Sequence, residues 1–92
     1  METFVYSIGN EQCAPIAVCS VKMDGPHGLP LISNWMQASD EAGKALLLKV
    51  EADLQEKGFS RAFSVSHPDN TTEREWFRAQ GYGEMILMDR KF

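Results

Sequence analysis

Residues 40–57 have the sequence DEAGKALLLKVEADLQEK, and this stretch decides the fold. Small and apolar residues recur in it at steps of three and four, which places them along one face of an α-helix. The residues on that face are Gly43, Leu46, Leu47, Val50 and Leu54. Ser39 or Asp40 can cap the start of the helix, and Gly58 after Lys57 suits its end. We therefore predict a helix over residues 40–57 with one buried face.

Three strands are predicted before this helix. The side chains of residues 3–8 alternate, and Gly9-Asn10 then supplies a turn. Residues 16–23 are rich in β-branched and apolar side chains and end at a Gly-Pro turn that cannot continue a ladder. Residues 29–36 form the third predicted strand. Pro30 lies near its start, where the missing N–H removes the fewest hydrogen bonds from the ladder.

A strand, a short helix and a closing strand are predicted after the long helix. Residues 59–66 form the fourth strand, and a capping-box sequence from Asn70 begins a second helix that ends at Gly81. Residues 82–88 form the last strand, so the order is βββαβαβ. A helix between the third and fourth strands requires a right-handed crossover between parallel strands. The predicted fold class is therefore α/β (α+β), a mixed twisted sheet with two helices packed on it, in a single domain over residues 1–92.

Size and composition exclude several classes of protein. A chain of 92 residues builds one hydrophobic core, and no apolar run approaches the roughly 18 residues that span a bilayer. The net charge of −4 disfavours binding to nucleic acid. Cys13 and Cys19 have no second pair to complete a zinc site, and Cys19 fits a small core residue better than a reactive thiol. We expect a cytoplasmic protein without a metal.

Two segments resemble the GCN5-related N-acetyltransferase superfamily. They are Gly43-Lys44-Ala45-Leu46-Leu47 at the start of the long helix and Asn70 followed by Trp76-Phe77-Arg78-Ala79-Gln80-Gly81-Tyr82. The resemblance covers the chain from about Ile16 to its end. It implies that acetyl-CoA lies in a splay between the strands at 29–36 and 59–66, with its pyrophosphate at the start of the helix. It also implies transfer of the acetyl group to an amine.

The resemblance implies a set of cofactor-binding residues: Gln37, Ala42, Gly43, Lys44, Asn70 and Phe77. The family's pyrophosphate motif is commonly Q/R-x-x-G-x-G/A, and alignment on Gly43 puts Ala38 and Glu41 at its first two fixed positions. Gln37 is one position out of register, and an irregular loop could bring it back. Asp40 and Glu41 add negative charge where a pyrophosphate should bind, and they oppose it unless they turn into solvent.

The catalytic residues that the resemblance implies are only partly present in this sequence. Phe77 stands at the position of the family's proton-donating tyrosine and has no O–H. Tyr82 fits a packing role, and Asn70 is equally well placed beside the pantetheine or as a helix N-cap. The strand at 29–36 carries no carboxylate, so His67 is the candidate base, although a loop histidine is the plainer interpretation. His27, in a turn rich in glycine and proline, is a weaker candidate.

Two hypotheses of function follow from these residues. The first is a small acetyl-CoA-dependent N-acetyltransferase that acts on a protein or small-molecule amine. The alternative is a non-catalytic module that keeps the fold to bind a protein partner and has lost acetyl transfer. Trp35, Trp76 and the apolar run 85–88 could mark an interface, but such residues in a small domain are more often part of the core. An exposed last strand would allow a homodimer.

Overall fold

The computed structural model describes residues 3–9, 15–66 and 69–83, and these contain a four-stranded mixed sheet. The strands are β1 (Thr3–Gly9), β2 (Pro15–Lys22), β3 (Leu31–Gln37) and β4 (Phe63–Ser64), and they lie side by side in this order. β1 and β2 are antiparallel, as are β2 and β3, whereas β3 and β4 are parallel. The predicted mixed sheet with one parallel pair is confirmed.

The two helices follow the third and fourth strands, as predicted. α1 (Asp40–Glu56) begins at Ser39, whose side-chain hydroxyl accepts the backbone N–H of Ala42 at 3.1 Å. α2 (Thr71–Ala79) begins at Asn70, whose side-chain oxygen accepts the N–H of Glu73 at 3.2 Å. Both caps satisfy backbone donors that a helix start leaves without partners. No helix in the described ranges is long and apolar enough to cross a membrane.

The core lies between the sheet and the inner face of α1. The predicted inner face is confirmed, because every residue that the periodicity places on it is buried: Gly43, Leu46, Leu47, Val50 and Leu54. The sheet contributes the side chains that alternate toward this helix, namely Tyr6, Ala17, Cys19, Val21 and Ile32. Cys19 is a core residue, as expected, and its burial raises the pKa of the thiol to about 11.

The fourth strand is shorter than predicted. Only Phe63–Ser64 is in the ladder, instead of residues 59–66, because β4 pairs with β3 at just two positions. Before it, the backbone N–H of Phe59 donates to the carbonyl of Leu54 and so belongs to the end of α1. Of the predicted closing strand at 82–88, Tyr82 and Gly83 are not in a strand, and residues 84–88 lie outside the described residues.

β1 is attached to α1 by polar contacts along one side of the helix. The buried Tyr6 donates its hydroxyl hydrogen to Asp53, and Lys57 forms an ion pair with the same carboxylate at 3.1 Å. These two contacts lower the pKa of Asp53, whereas burial is the main cause that raises the pKa of Tyr6. Lys49 also donates to the backbone carbonyl of Ser7 at 3.0 Å. The edge of the sheet is therefore linked to the helix that covers the core.

Candidate functional site

The candidate site begins where the parallel strands β3 and β4 separate. The backbone N–H of Phe63 donates to the carbonyl of Pro30 at 2.8 Å, and that of Val65 donates to the carbonyl of Ile32 at 2.9 Å. β3 then continues to Gln37, while in the described residues β4 pairs with it no further than Ser64. An opening therefore lies between the carboxyl ends of these strands, the place where ligands bind in open α/β sheets.

A bulge in β3 lies beside this opening. The pairing of β2 with β3 shifts between Val18 and Ser20, and Asn34 adopts a left-handed backbone conformation with φ of 53°. Asparagine tolerates this region better than most residues. A bulge bends its strand and increases the local twist. Trp35, next to Asn34, packs against Trp76 and Phe77 of α2.

The start of α1 follows directly after the carboxyl end of β3 and carries two opposed charges. Lys44 and Asp40 form an ion pair at 3.0 Å, one turn apart on the helix surface. Asp40 also accepts the indole N–H of Trp76 at 2.7 Å. Lys44 and then Trp76 lower the pKa of Asp40, so this carboxylate is ionised at neutral pH and partly neutralised by its neighbours. Glu41 beside it is exposed.

Gln37 packs against Gly43, although their sequence positions are out of register with the pyrophosphate motif. A Cβ atom at Gly43 would lie only 2.6 Å from Cδ and 2.9 Å from Nε2 of Gln37. The amide of Gln37 is held in place, because its Oε1 accepts the indole N–H of Trp35 at 2.8 Å. The structure therefore brings together three of the predicted binding positions, Gln37, Ala42 and Gly43, with Lys44 on the adjacent exposed surface.

The second group of predicted residues lies on α2. Asn70 caps this helix, which is one of its two predicted roles. Phe77 is only 4% exposed, and its ring centroid lies 4.9 Å from Trp35, 5.1 Å from Trp76 and 5.3 Å from Tyr82. The pair Trp35 and Trp76 completes this cluster at 5.5 Å. Phe77 therefore has a packing role, and so does Tyr82.

The hydrogen bonds of the aromatic cluster are the part of the site that the sequence did not predict. Trp35 and Trp76 pack against the core, as the sequence predicts, and in addition each indole N–H donates to a polar side chain near the start of α1. Their partners Gln37 and Asp40 lie two and 36 residues away in the sequence. The local Trp-x-Gln spacing could have suggested the first contact. The second depends on how α2 packs, and no sequence pattern indicates it.

Of the two candidate histidines, only His27 lies within the described residues. His67, the candidate base, lies outside the described residues, so its role stays a prediction. His27 is exposed, in a short 3-10 turn with φ of 58°, and its ring centroid lies 6.3 Å from that of Phe63. Phe63 pairs with Leu31, at the joined end of β3 and β4, and the opening lies beyond the next pair. His27 is therefore placed away from the opening.

A cleft of about 950 Å³ runs along β4 between α1 and α2. Leu54, Phe59 and Phe77 supply apolar parts of its lining. All three arginines of the described residues also line it: Arg61, Arg74 and Arg78. Guanidinium groups suit phosphate and carboxylate ligands, but Glu51 also lines the cleft, and Arg74 and Arg78 already make other interactions. Within the described ranges, no cluster of histidine, cysteine or acidic side chains could hold a metal ion.

Comparison with known proteins identifies the fold. No protein-family model and no curated protein sequence matches the chain. Two solved structures do match: a probable acetyltransferase, with a TM-score of 0.73 and 13% identity, and a proposed acetyl transferase from Pyrococcus furiosus, with a TM-score of 0.72 and 19% identity. They cover 99% and 98% of this chain, which spans 66% and 65% of theirs, about two thirds of their length. The chain therefore has a fold like that of these two acetyltransferases.

Proposed function

We propose that this protein is an acetyl-CoA-dependent N-acetyltransferase that transfers an acetyl group to an amine on a protein or a small molecule. The observation that carries the proposal is the separation of β3 from β4 after two paired residues, with the start of α1 directly after the carboxyl end of β3. A helix start attracts anions through its backbone N–H groups and its dipole. The likeness of the fold to acetyltransferases supports the same ligand.

The residues around the opening suit acetyl-CoA in most respects. Ala42, Gly43 and Lys44 belong to the first turns of α1, and Lys44 keeps about half of its side chain exposed. Gln37 lies against this turn; Asn70 caps α2, and Phe77 is buried on α2 in the aromatic cluster. These six residues would hold the cofactor. Bound there, acetyl-CoA supplies the acetyl group that the amine receives, and His67 is the proposed base that accepts the proton of the amine.

The alternative function is a non-catalytic module of the same fold that binds a protein partner. One specific observation favours it: the cluster of Trp35, Trp76, Phe77 and Tyr82 packs between β3 and α2 and contains a phenylalanine where a proton-donating tyrosine would be needed. The ion pair between Asp40 and Lys44 further reduces the positive charge available to a pyrophosphate. An experiment must therefore separate binding from turnover.

Binding is tested by calorimetric titration with acetyl-CoA of the wild type and two matched variants. Glu41→Gln removes an exposed negative charge from the start of α1. The control, Glu56→Gln, removes an exposed negative charge from the end of the same helix and changes the net charge equally. A charge about 8 Å from a doubly charged pyrophosphate in water costs on the order of 0.5 to 1 kcal/mol. We therefore expect Glu41→Gln to bind acetyl-CoA about two to five times more tightly, and Glu56→Gln to bind as the wild type does.

Three results have distinct meanings. Equal effects of the two variants would show that the pyrophosphate is not at the start of α1. Absence of binding at about millimolar acetyl-CoA would refute the cofactor and, with it, the enzyme. If acetyl-CoA binds, release of free CoA thiol with a panel of amines tests catalysis, and His67→Gln should reduce it at least about 100-fold if His67 is the base. Binding without turnover would favour the non-catalytic module.

A further inference from the structure

β1 is at the edge of the described sheet, and its own sequence lacks the residues that usually prevent pairing. It lies at one end of the described sheet, and its sequence TFVYSIG contains no charged residue and no proline. Its pairing with β2 is regular from Thr3 to Ile8 and shifts only at Gly9. Edge strands are normally protected by charges, proline or bulges, because their free backbone groups attract another strand. β1 therefore presents a regular edge of six residues.

The outward-facing backbone groups of β1 can be assigned from two independent contacts. Ile16 accepts the N–H of Ala38 from the β3 side, so the alternate residues of β2, beginning at Ala17, bond to β1. The β1 partners of those residues are Phe4, Tyr6 and Ile8. The remaining residues, Thr3, Val5 and Ser7, point their N–H and C=O groups away from the sheet. The bond from Lys49 to the carbonyl of Ser7 agrees with this assignment.

We infer that β1 pairs with β1 of a second copy of this chain, antiparallel and about a twofold axis at Val5. In this register Val5 faces the partner's Val5, and Thr3 faces the partner's Ser7. All the outward groups of one strand then meet outward groups of the other. No like charges are opposed, and the apolar side chain of Val5, which is 70% exposed in the monomer, is covered. The strand is thus complementary to itself, as a twofold interface requires.

A hollow beside β1 supplies space for the side chains of the added strand. It has a volume of about 420 Å³ and lies between β1 and α1. Its lining residues are Tyr6, Lys49, Ala52, Asp53 and Glu56. Phe4 pairs with the buried Val21 and so faces the side of α1, where it is 38% exposed. In the inferred register the partner's Phe4 lies next to Tyr6, and the hollow can accept its ring.

Lys49 competes with the second strand for a backbone group of β1 and so weakens the association. The carbonyl of Ser7 that it binds in the monomer is the acceptor that the partner's Thr3 N–H needs. A six-residue strand is also only about 20 Å long, and the strip it covers is smaller than the roughly 800 Å² per partner of a stable interface. The dimer should therefore form and dissociate with protein concentration.

Sedimentation equilibrium of the full chain, from about 5 to 500 µM, tests the inference with a matched pair of variants. Val5 and Leu48 are both 70% exposed, on β1 and on the outer side of α1. Val5→Lys should weaken self-association at least about tenfold by placing two charges on the twofold axis. Leu48→Lys should leave it within about twofold, and Lys49→Met should strengthen it severalfold. A wild type that stays monomeric, or equal effects of the two lysine variants, would overturn the inference.

Amide hydrogen exchange provides a test in the unmodified protein. Raising its concentration should slow exchange at Val5 and at Thr3, whose N–H groups point outward. Phe4 and Tyr6, which bond to β2, should show no comparable change and serve as internal controls. Slowing at all four positions, or at none, would contradict pairing through this edge. Neither result depends on binding of acetyl-CoA.

Discussion

Replacing Gly43 with alanine tests how tightly the start of α1 is packed. In a helix interior this substitution normally stabilises, by about 0.5 to 1 kcal/mol, because alanine loses less backbone entropy than glycine. Here the new methyl group would lie 2.6 Å from Cδ of Gln37, so the amide of Gln37 must move. Moving it breaks the 2.8 Å bond from the indole of Trp35. The two effects have opposite signs.

The expected magnitude follows from that bond. A hydrogen bond contributes about 1 kcal/mol, and a half-buried indole N–H without a partner costs about 1 kcal/mol more. The loss of about 2 kcal/mol exceeds the gain in helix propensity, so Gly43→Ala should destabilise the protein by about 1 kcal/mol. For a domain of this size, that lowers the melting temperature by about 4 to 8 °C.

A double-mutant cycle with Gln37→Ala isolates the cause. Without the side chain of Gln37 there is nothing for the new methyl group to displace, so Gly43→Ala should stabilise the Gln37→Ala background by about 0.5 to 1 kcal/mol. The substitution thus changes sign between the two backgrounds, with a coupling energy of about 1.5 to 2 kcal/mol. Urea unfolding followed by circular dichroism measures all four proteins. Stabilisation of the wild type by Gly43→Ala would refute the reasoning, because it would show that Gln37 moves at little cost.

Two further predictions concern β1 and the core. Tyr6→Phe removes the hydroxyl that lowers the pKa of Asp53. The lowered pKa of Asp53 contributes to folding stability fully above about pH 4, and this contribution is lost as the pH falls below that value. The raised pKa of Tyr6 contributes fully below about pH 10, and this contribution is lost as the pH rises further. Chemical unfolding should therefore give a difference between wild type and Tyr6→Phe that is constant from about pH 5 to 9 and shrinks at both ends, and a difference independent of pH would contradict this. Cys19 has a thiol pKa of about 11, so only about one molecule in a thousand carries the thiolate at about pH 8. In a Cys13→Ser variant it should react with iodoacetamide far more slowly in the native protein than in urea, and equal rates would show that it is not buried.

The long helix was the most predictable part of the fold. Its apolar spacing, its Ser39 cap and its glycine after the last turn are local signals, and each has the predicted place in the structure. The antiparallel strands before it were also placed within two residues, because side-chain alternation and turn residues mark them. The length of β4 could not be predicted in this way. It depends on where β3 diverges, and the bulge at Asn34 that accompanies this divergence is a property of two paired strands.

The candidate site was only partly predictable for a similar reason. Motif spacing proposed Gly43 and Lys44 as binding residues, and it left Gln37 one position out of register. The fold nevertheless packs the amide of Gln37 on Gly43. The contact between Trp76 and Asp40 joins two helices and depends on their packing, which a single sequence does not specify.

The aromatic cluster beside the opening also makes the protein its own spectroscopic reporter. Trp35 and Trp76 are the only tryptophans of the chain, and their rings lie 5.5 Å apart between β3 and α2. Tryptophan fluorescence therefore reports on this corner of the molecule. Each indole also donates to a side chain near the start of α1, so a ligand that displaces Gln37 or Asp40 should shift the emission. Events at the opening can thus be followed optically in the unlabelled protein.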